Sequence, residues 1–347
     1  MEKNHWSEFD YSKFKLFLRP EKVNSILNVL TIEKEFDDLP PISVELHLTD
    51  ICNLKCSWCT DSKLRKNLAS IKKDNVFKLF DYFKEKDIGV TIEGGGEPSI
   101  HNDFEEIVQY GKSLDLHMGL ISNGVENFSH VIKYFKWVRI SIDASSPTEY
   151  KQEKGIDRFE VVLSNLGNFS KNRDPSQTHL GVGYVLTKRN INSVMNIVPT
   201  FDKLGADYLY LRPVEESPQL VPSLDDLFNL RKQLLEFTET HRIKAILNIN
   251  ERLIKNNDNL PCIAHSLTCI IQANGEVMLC EKRRHDIITF GNIYEEDFDK
   301  IWNSNTRKKV TNKLLNPLCQ IGCEVCRITP FNRIFFDVNN IHTKKFI

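Results

Sequence analysis

Residues 43–59 read SVELHLTDICNLKCSWC. The first seven, SVELHLT, are a short run rich in Val and Leu, of strand length. The ten that follow put three thiols, Cys52, Cys56 and Cys59, on one loop in the spacing C-x3-C-x2-C. Five similar runs lie downstream: GVTIE at 89–93, HMGLIS at 117–122, VRISID at 138–143, LGVGYVLT at 180–187 and YLYLRP at 208–213.

The intervals between these runs have helical periodicity. One apolar face carries Val76, Phe77, Phe80 and Phe83, and a second Phe104, Ile107, Val108 and Leu114. A third carries Phe128, Val131, Ile132 and Phe135, and a fourth Phe159, Val162, Leu163, Leu166 and Phe169. Val194, Ile197, Val198, Phe201 and Leu204 make the fifth; the sixth helix opens at Ser223, a good N-cap, ahead of Leu227, Leu230, Leu234 and Phe237. Such stripes are core. Six strand–helix units in series predict an α/β fold, a parallel sheet with helices outside it. Right-handed crossovers then either wind doubly or curl into a barrel two units short of the closed eight-fold form.

In either form ligands bind beyond the carboxyl ends of the strands. All six strands end in polar, Gly-rich or thiol chemistry: the cysteine loop, GGGEP, SNG, SIDAS, TKRN and RPVEES. Past residue 240 the pattern changes. KAILNIN (244–250) reads as one more strand, and a polar stretch then leads to Cys262. The expected organisation is an N-terminal extension over 1–40, a core over 41–240 and a small cysteine-rich domain over 241–347.

Composition narrows the function. The 347 residues hold 46 Lys+Arg and 47 Asp+Glu, so the basic excess of a nucleic-acid binder is missing. No apolar run approaches the roughly 20 residues that span a bilayer. MEKNHWSEFDYSK has no signal-peptide core. The expectation is a cytoplasmic chain without nucleic-acid or membrane partners. Nine cysteines stand at 52, 56, 59, 262, 269, 280, 319, 323 and 326. An odd, grouped set in a reducing compartment points to metal rather than disulfides.

Three thiols on one loop leave one position open on a metal centre that four would close. Cys52-x3-Cys56-x2-Cys59, with Trp58 before the last thiol, resembles the signature of the radical S-adenosylmethionine enzymes. Gly95-Gly96-Glu97-Pro98 is similar to that family's GGEP motif. The likeness runs over about residues 41–240 and implies a partial (β/α)6 barrel. It also implies a catalytic [4Fe-4S] cluster on the three thiols, whose open iron holds S-adenosyl-L-methionine. One electron, from a reductant such as flavodoxin or ferredoxin, would then release a 5'-deoxyadenosyl radical. Glycines would let the backbone approach the methionine end, Glu97 would face its ammonium, and Asn123, Ser141 and Asp143 would accept from the ribose. Thr187 and Asn190 are weaker candidates.

Cys262-x12-Gly275-x4-Cys280, the GNIYEEDFDKIWNS segment (291–304) and Cys319-x3-Cys323-x2-Cys326 resemble the SPASM/twitch extension of such enzymes. This implies at least one auxiliary [4Fe-4S] cluster. Likeness to the shorter twitch pattern, a distant pair plus a CxxC, implies Cys262, Cys280, Cys323 and Cys326 as its ligands; a structural zinc would use the same residues. Cys269 and Cys319 are left over, as ligands of a second cluster or as hydrogen donors. Cys319, Cys323 and Cys326 repeat the first spacing, but follow no strand and precede no GGEP, so they are not read as a second adenosylmethionine site.

Three reactions fit. The radical modifies a peptide by crosslinking or oxidation, it oxidises a small molecule (sugar, aminocyclitol or nucleotide), or a spare thiol returns hydrogen and yields an epimer. A non-enzymatic iron–sulfur electron carrier would leave the GGGEP turn without a role. Arg212, Glu215, Glu216, Arg283 and Arg284 are candidate substrate contacts or solvated surface. His47, His101 and His117 read as structural.

Overall fold

The computed structural model describes residues 13–32, 39–65, 68–215, 217–249, 253, 260–286, 288–315, 323 and 326–339. Its centre is one sheet. Strands β1 (Ser43–Leu46), β2 (Gly89–Ile92), β3 (Met118–Ser122), β4 (Trp137–Ser141), β5 (His179–Leu186), β6 (Tyr208–Pro213) and β7 (Lys244–Leu247) lie side by side in chain order, all parallel. β8 (Thr268–Ile271) pairs parallel with the free side of β1, and β9 (Glu276–Met278) and β10 (Thr289–Asn292) continue antiparallel from it. No pairing joins β7 to β1 among the described residues, so the barrel is partial. Side chains from β3, β4, β5 and β6 nevertheless line one cavity with the loops after β1 and β2, as only a curled sheet allows.

Helices cover the outer face, and α2, α3, α5, α6 and α7 do so through apolar stripes read in the sequence. α1 (Pro20–Ile32) precedes the sheet. α2 (Lys73–Glu85) buries Val76, Leu79, Phe80 and Phe83, and α3 (Phe104–Ser113) buries Phe104, Ile107 and Val108. α4 (Pro147–Lys154) and α5 (Phe159–Lys171) both fall between β4 and β5. α6 (Val194–Lys203) and α7 (Leu224–Thr238) follow, α7 capped at Ser223, whose side chain accepts from Asp226 N at 3.1 Å. α8 (Phe298–Trp302), α9 (Asn305–Leu315) and α10 (Thr329–Asn339) are the last helices among the described residues. No helix among the described residues is long and apolar enough to cross a membrane.

The third expected helix does not form. Phe128, Val131, Ile132 and Phe135 are buried as anticipated, but on a loop whose one helical turn is the 3-10 turn Ile132–Tyr134. The Asn127 side chain accepts from Ser129 N at 3.1 Å, an Asx turn that competes with helix at this point. Conversely, α4 shows no apolar stripe. It is set by its ends: Ser146 caps it with Pro147 next, and Gly155 closes it at φ +84°.

The barrel interior is polar. Glu45 of β1, Arg139 and Ser141 of β4, and Tyr210 and Arg212 of β6 occupy alternate, inward positions, joined by Glu93 just past β2. The lower part is filled by Trp137 and Tyr208, each lying across a glycine of its neighbour. A Cβ on Gly119 would stand 2.2 Å from the Trp137 ring, and one on Gly181 2.2 Å from the Tyr208 ring.

Candidate functional site

Cys52, Cys56 and Cys59 follow β1 and line one cavity with Gly95, Gly96, Glu97, Asn123, Ser141 and Asp143. Pro98 is buried behind Glu97, where it opens a 3-10 turn. Thr187 and Asn190 are buried and do not line the cavity. Asn190 donates to the backbone oxygens of Asp143 (3.0 Å) and Val185 (2.9 Å) and so fixes the end of β5.

The glycine turn is built against the cysteine loop. Gly96 N donates to Thr49 O at 2.6 Å and Glu97 N to Ile51 O at 2.8 Å. A Cβ on Gly96 would stand 1.8 Å from Ile51 O, and one on Gly94 2.2 Å from the His47 ring. Gly94 and Gly95 also have φ of +68° and +62°. The turn thus needs glycine to seat the loop that carries the thiols. Burial pushes the His47 side chain down to about 4, so it packs as a neutral ring.

Glu97 is committed inside the protein. Its carboxylate accepts from Ser99 N (3.1 Å), Ser99 Oγ (2.6 Å), Ser122 Oγ (2.7 Å) and Asn123 N (2.7 Å). It ties the β2 loop to the end of β3. Asn123 continues the chain, donating to Asn53 Oδ1 at 2.6 Å within the cysteine loop. Asp143, in the left-handed region at φ +60°, pairs with Lys154 and accepts from Val185 N.

A second clamp was not legible as a motif. The C-terminal end of α4 grips the cysteine loop from below. Lys55 N donates to Lys154 O (2.9 Å), and Ser57 N to Glu153 O (3.0 Å). The buried Glu153 carboxylate accepts from Trp58 Nε1 (3.0 Å), Thr187 Oγ1 (3.1 Å) and both Arg189 Nε and Nη2 (2.8 Å each). The Lys154 ammonium lies 5.2 Å from the centre of the Trp58 ring. The signal available in the sequence was the pair Glu153–Lys154 ahead of Gly155.

Burial raises the Cys52 thiol and pushes Cys56 up to about 12, with Lys154 opposing the shift. Arg65 Nη2 stands 3.1 Å from Cys59 Sγ, as a donor to sulfur would. Three thiols facing one polar cavity, backed by cations, fit an iron–sulfur cluster with one iron left for another ligand. Binding must displace their protons, which nearby Lys154 and Arg65 favour.

The C-terminal thiols gather at the far side of β1. Burial raises Cys262, pushes Cys280 up to about 12 and raises Cys326, and Cys280, Cys323 and Cys326 add to the shift of Cys262 by mutual repulsion. Four mutually repelling thiols have the chemistry of a cluster's ligand set, although among the described residues no three His, Cys, Asp or Glu side chains are grouped tightly enough to hold a single metal ion. Arg327 and Glu281, each next to a thiol of this group, line the main cavity. Arg327 pairs with Glu45 and lies 3.4 Å from Glu281. Arg327 and Glu281, with Glu45, also line the adjoining pocket onto which Cys280 and Cys326 open.

Cys269 is placed elsewhere. It is fully buried on β8, opposite Val44, among core side chains, and does not line the cavity. Cys319 and Glu216 lie outside the described residues. Arg212 lines the cavity and lies 3.6 Å from Glu215, which also pairs with Lys282. Arg284 pairs with Asp61. His101 is held by Ile71 O at 2.8 Å and receives Asp103 N at 3.1 Å.

Comparison with known proteins gives two family matches: the radical SAM superfamily over residues 46–198 and an iron–sulfur cluster-binding (SPASM) domain over 262–327. Mycofactocin maturase MftC of Mycolicibacterium smegmatis is 22% identical over 302 residues, 82% of this chain and 75% of the relative. A probable GTP 3',8-cyclase of Methanococcus maripaludis is 21% identical over 265 residues, 72% and 88% respectively. Among solved structures, Streptococcus suis SuiB bound to its precursor peptide SuiA superimposes with a TM-score of 0.68 at 15% identity. That match covers 94% of this chain and 83% of SuiB.

Proposed function

We propose that this chain, which belongs to the radical S-adenosylmethionine superfamily and carries a SPASM-type iron–sulfur domain, modifies a peptide by radical oxidation. Its cofactors are S-adenosyl-L-methionine, a catalytic [4Fe-4S] cluster and auxiliary iron–sulfur. When bound, the catalytic cluster would supply the electron that breaks the S–C5' bond of S-adenosylmethionine, giving methionine and a hydrogen-abstracting 5'-deoxyadenosyl radical.

Cys52, Cys56 and Cys59 would hold that cluster, and Cys262, Cys280, Cys323 and Cys326 the auxiliary one. The glycine turn and the Glu153–Arg189 clamp fix the loop of the first group. Ser141 presents a hydroxyl and Asp143 a carboxylate, already engaged by Lys154, where the family likeness puts a ribose. The observation that carries the oxidative reading is that Arg327 and Glu281 line both pockets. This puts the second thiol group beside the substrate cavity, where an electron acceptor is useful. The peptide reading is supported by MftC and by the fold shared with SuiB, whose solved complex contains a precursor peptide. A flavodoxin or ferredoxin would supply the first electron.

The test is iron, sulfide and zinc per chain after anaerobic reconstitution, with adenosylmethionine cleavage read in the same samples. A Cys52/Cys56/Cys59→Ala variant should fall from about eight irons to about four and lose cleavage. A short peptide encoded beside the gene should lose an even number of hydrogens, read by mass. About four irons with one zinc would remove the electron acceptor and the oxidative reading with it.

A further inference from the structure

The partial barrel leaves its lumen lined by ionisable side chains, and most are already matched. Lys154 pairs with Asp143, Arg284 with Asp61, Arg327 with Glu45, and Arg65 with the Cys59 sulfur. Two are not. Arg139, at the middle of β4, has no carboxylate within ion-pair distance among the described residues. Its guanidinium stacks on rings instead, 4.4 Å from the centre of Tyr210 and 5.8 Å from that of Trp137. Glu93, just past β2, accepts no hydrogen bond and makes no ion pair among the described residues. Both line the cavity that the thiols open onto.

We propose that Arg139, with Glu93 at the same level of the wall and β3 between them, receives a carboxylate of the peptide substrate. The inference rests on the peptide reading above and names the group by which the peptide is held. A guanidinium kept flat by an aromatic stack presents its fork ready for two carboxylate oxygens, with little side-chain entropy left to lose. Tyr210 is itself anchored, accepting from Asn248 Nδ2 at 2.9 Å. Beside Arg139 the wall of β5 is Gly183, whose added Cβ would only touch the Arg139 stem at 3.5 Å. Burial and the Glu45 carboxylate push Glu93 up to about 8, with Glu281 adding to the shift and Arg327 and Arg139 opposing it. At neutral pH Glu93 is therefore mostly a neutral acid, which donates a hydrogen bond instead of repelling an incoming anion. An amine substrate would meet an unneutralised cation here.

The carboxylate can come from a peptide C-terminus or from an Asp or Glu side chain, and S-adenosylmethionine carries one too. The experiment separates these sources. Reconstituted full-length enzyme is equilibrated with matched short-peptide libraries: C-terminal acid or amide, each with internal Glu/Asp or Gln/Asn. Retained peptides are counted by mass spectrometry, and adenosylmethionine affinity is measured in parallel. Wild type should retain one acid form about tenfold or more over its amide counterpart. Enrichment confined to the terminal-acid arm identifies a C-terminus, and confined to the Glu/Asp arm a side chain. Arg139→Gln should bring the ratio close to one, and Arg139→Lys, which keeps the charge without the fork, should hold part of it.

Equal retention of acid and amide forms by wild type overturns the inference and leaves the peptide reading intact. So does an Arg139→Gln variant that keeps the ratio but loses adenosylmethionine affinity. No peptide retained in any arm, with cleavage unstimulated by all of them, overturns both. Should Arg139→Gln prove unfolded by its thermal melt, Arg139→Lys and Glu93→Gln carry the same comparison.

Discussion

Gly96 and Glu97 show how closely the site depends on single groups. Gly96→Ala puts a methyl 1.8 Å from the Ile51 carbonyl, on backbone that cannot yield without moving the cysteine loop. We expect a loss of about 2–3 kcal/mol in denaturant unfolding, together with poor iron uptake. Glu97→Gln is nearly isosteric, yet it replaces one acceptor oxygen with an NH2; even in the better amide orientation, which keeps Oε1 for Ser99 and Ser122, the NH2 faces the Asn123 N–H. Leaving that buried donor unmatched should cost about 1–3 kcal/mol. A variant as stable as wild type would show that Glu97 is not the brace described. The GGGEP motif was plain in the sequence, but the partner its glycines serve was not. Periodicity and composition carry no information about contacts between residues 51 and 96.

Between elements, the grip of α4 on the cysteine loop sets how firmly the first thiol group is held. Glu153→Gln removes one of the two carboxylate oxygens from Arg189, Thr187 and Trp58 while leaving the helix intact. Iron should then leave to a chelator roughly tenfold faster, with the fold unchanged by circular dichroism. Equal rates in variant and wild type would count against the clamp. This helix also marks where sequence reading stops. Five of six apolar stripes named real helices because burial on a helix face enforces a 3.6-residue period. The remaining one, the third, Phe128 to Phe135, buries the same residues on an irregular loop, so the period was met without the helix. α4 is the reverse case: it is short and charged, and end-capping creates it where no stripe exists. Cys269 illustrates a further limit. It was a candidate because a four-thiol cluster leaves it over, but in β8 it faces the core beside Val44. Which face a strand residue takes follows from pairing, and that pairing is with β1, far away in sequence.

The whole molecule should respond to pH through its buried acids. Glu93 has its ordinary value of 4.5 raised to about 8 in the fold, so the folded state holds a proton that the unfolded chain has released. Stability therefore falls as pH rises from about 4.5 to about 8, and Glu45 and Glu97, also raised by burial, act in the same direction. His47 acts from the other side: lowered from 6.5 to about 4, it withdraws stability as pH falls through that interval. Glu93→Gln should abolish its share of the alkaline slope, so that the variant gains on wild type between pH 5 and 9. Parallel curves from denaturant titrations across this range would refute the assignment. The strand order adds a constraint of another kind. β1 is an inner strand because β8 covers its second side, and β8 is reached only at residue 268. On the ribosome, the chain from β1 onward is extended for roughly 10–45 s before that partner emerges. For all of that time the nascent first strand offers an open edge to other chains, and the thiol loop hangs from a half-paired support. Chaperone cover belongs to that interval, and iron loading belongs after it, once β8 has emerged and paired with β1.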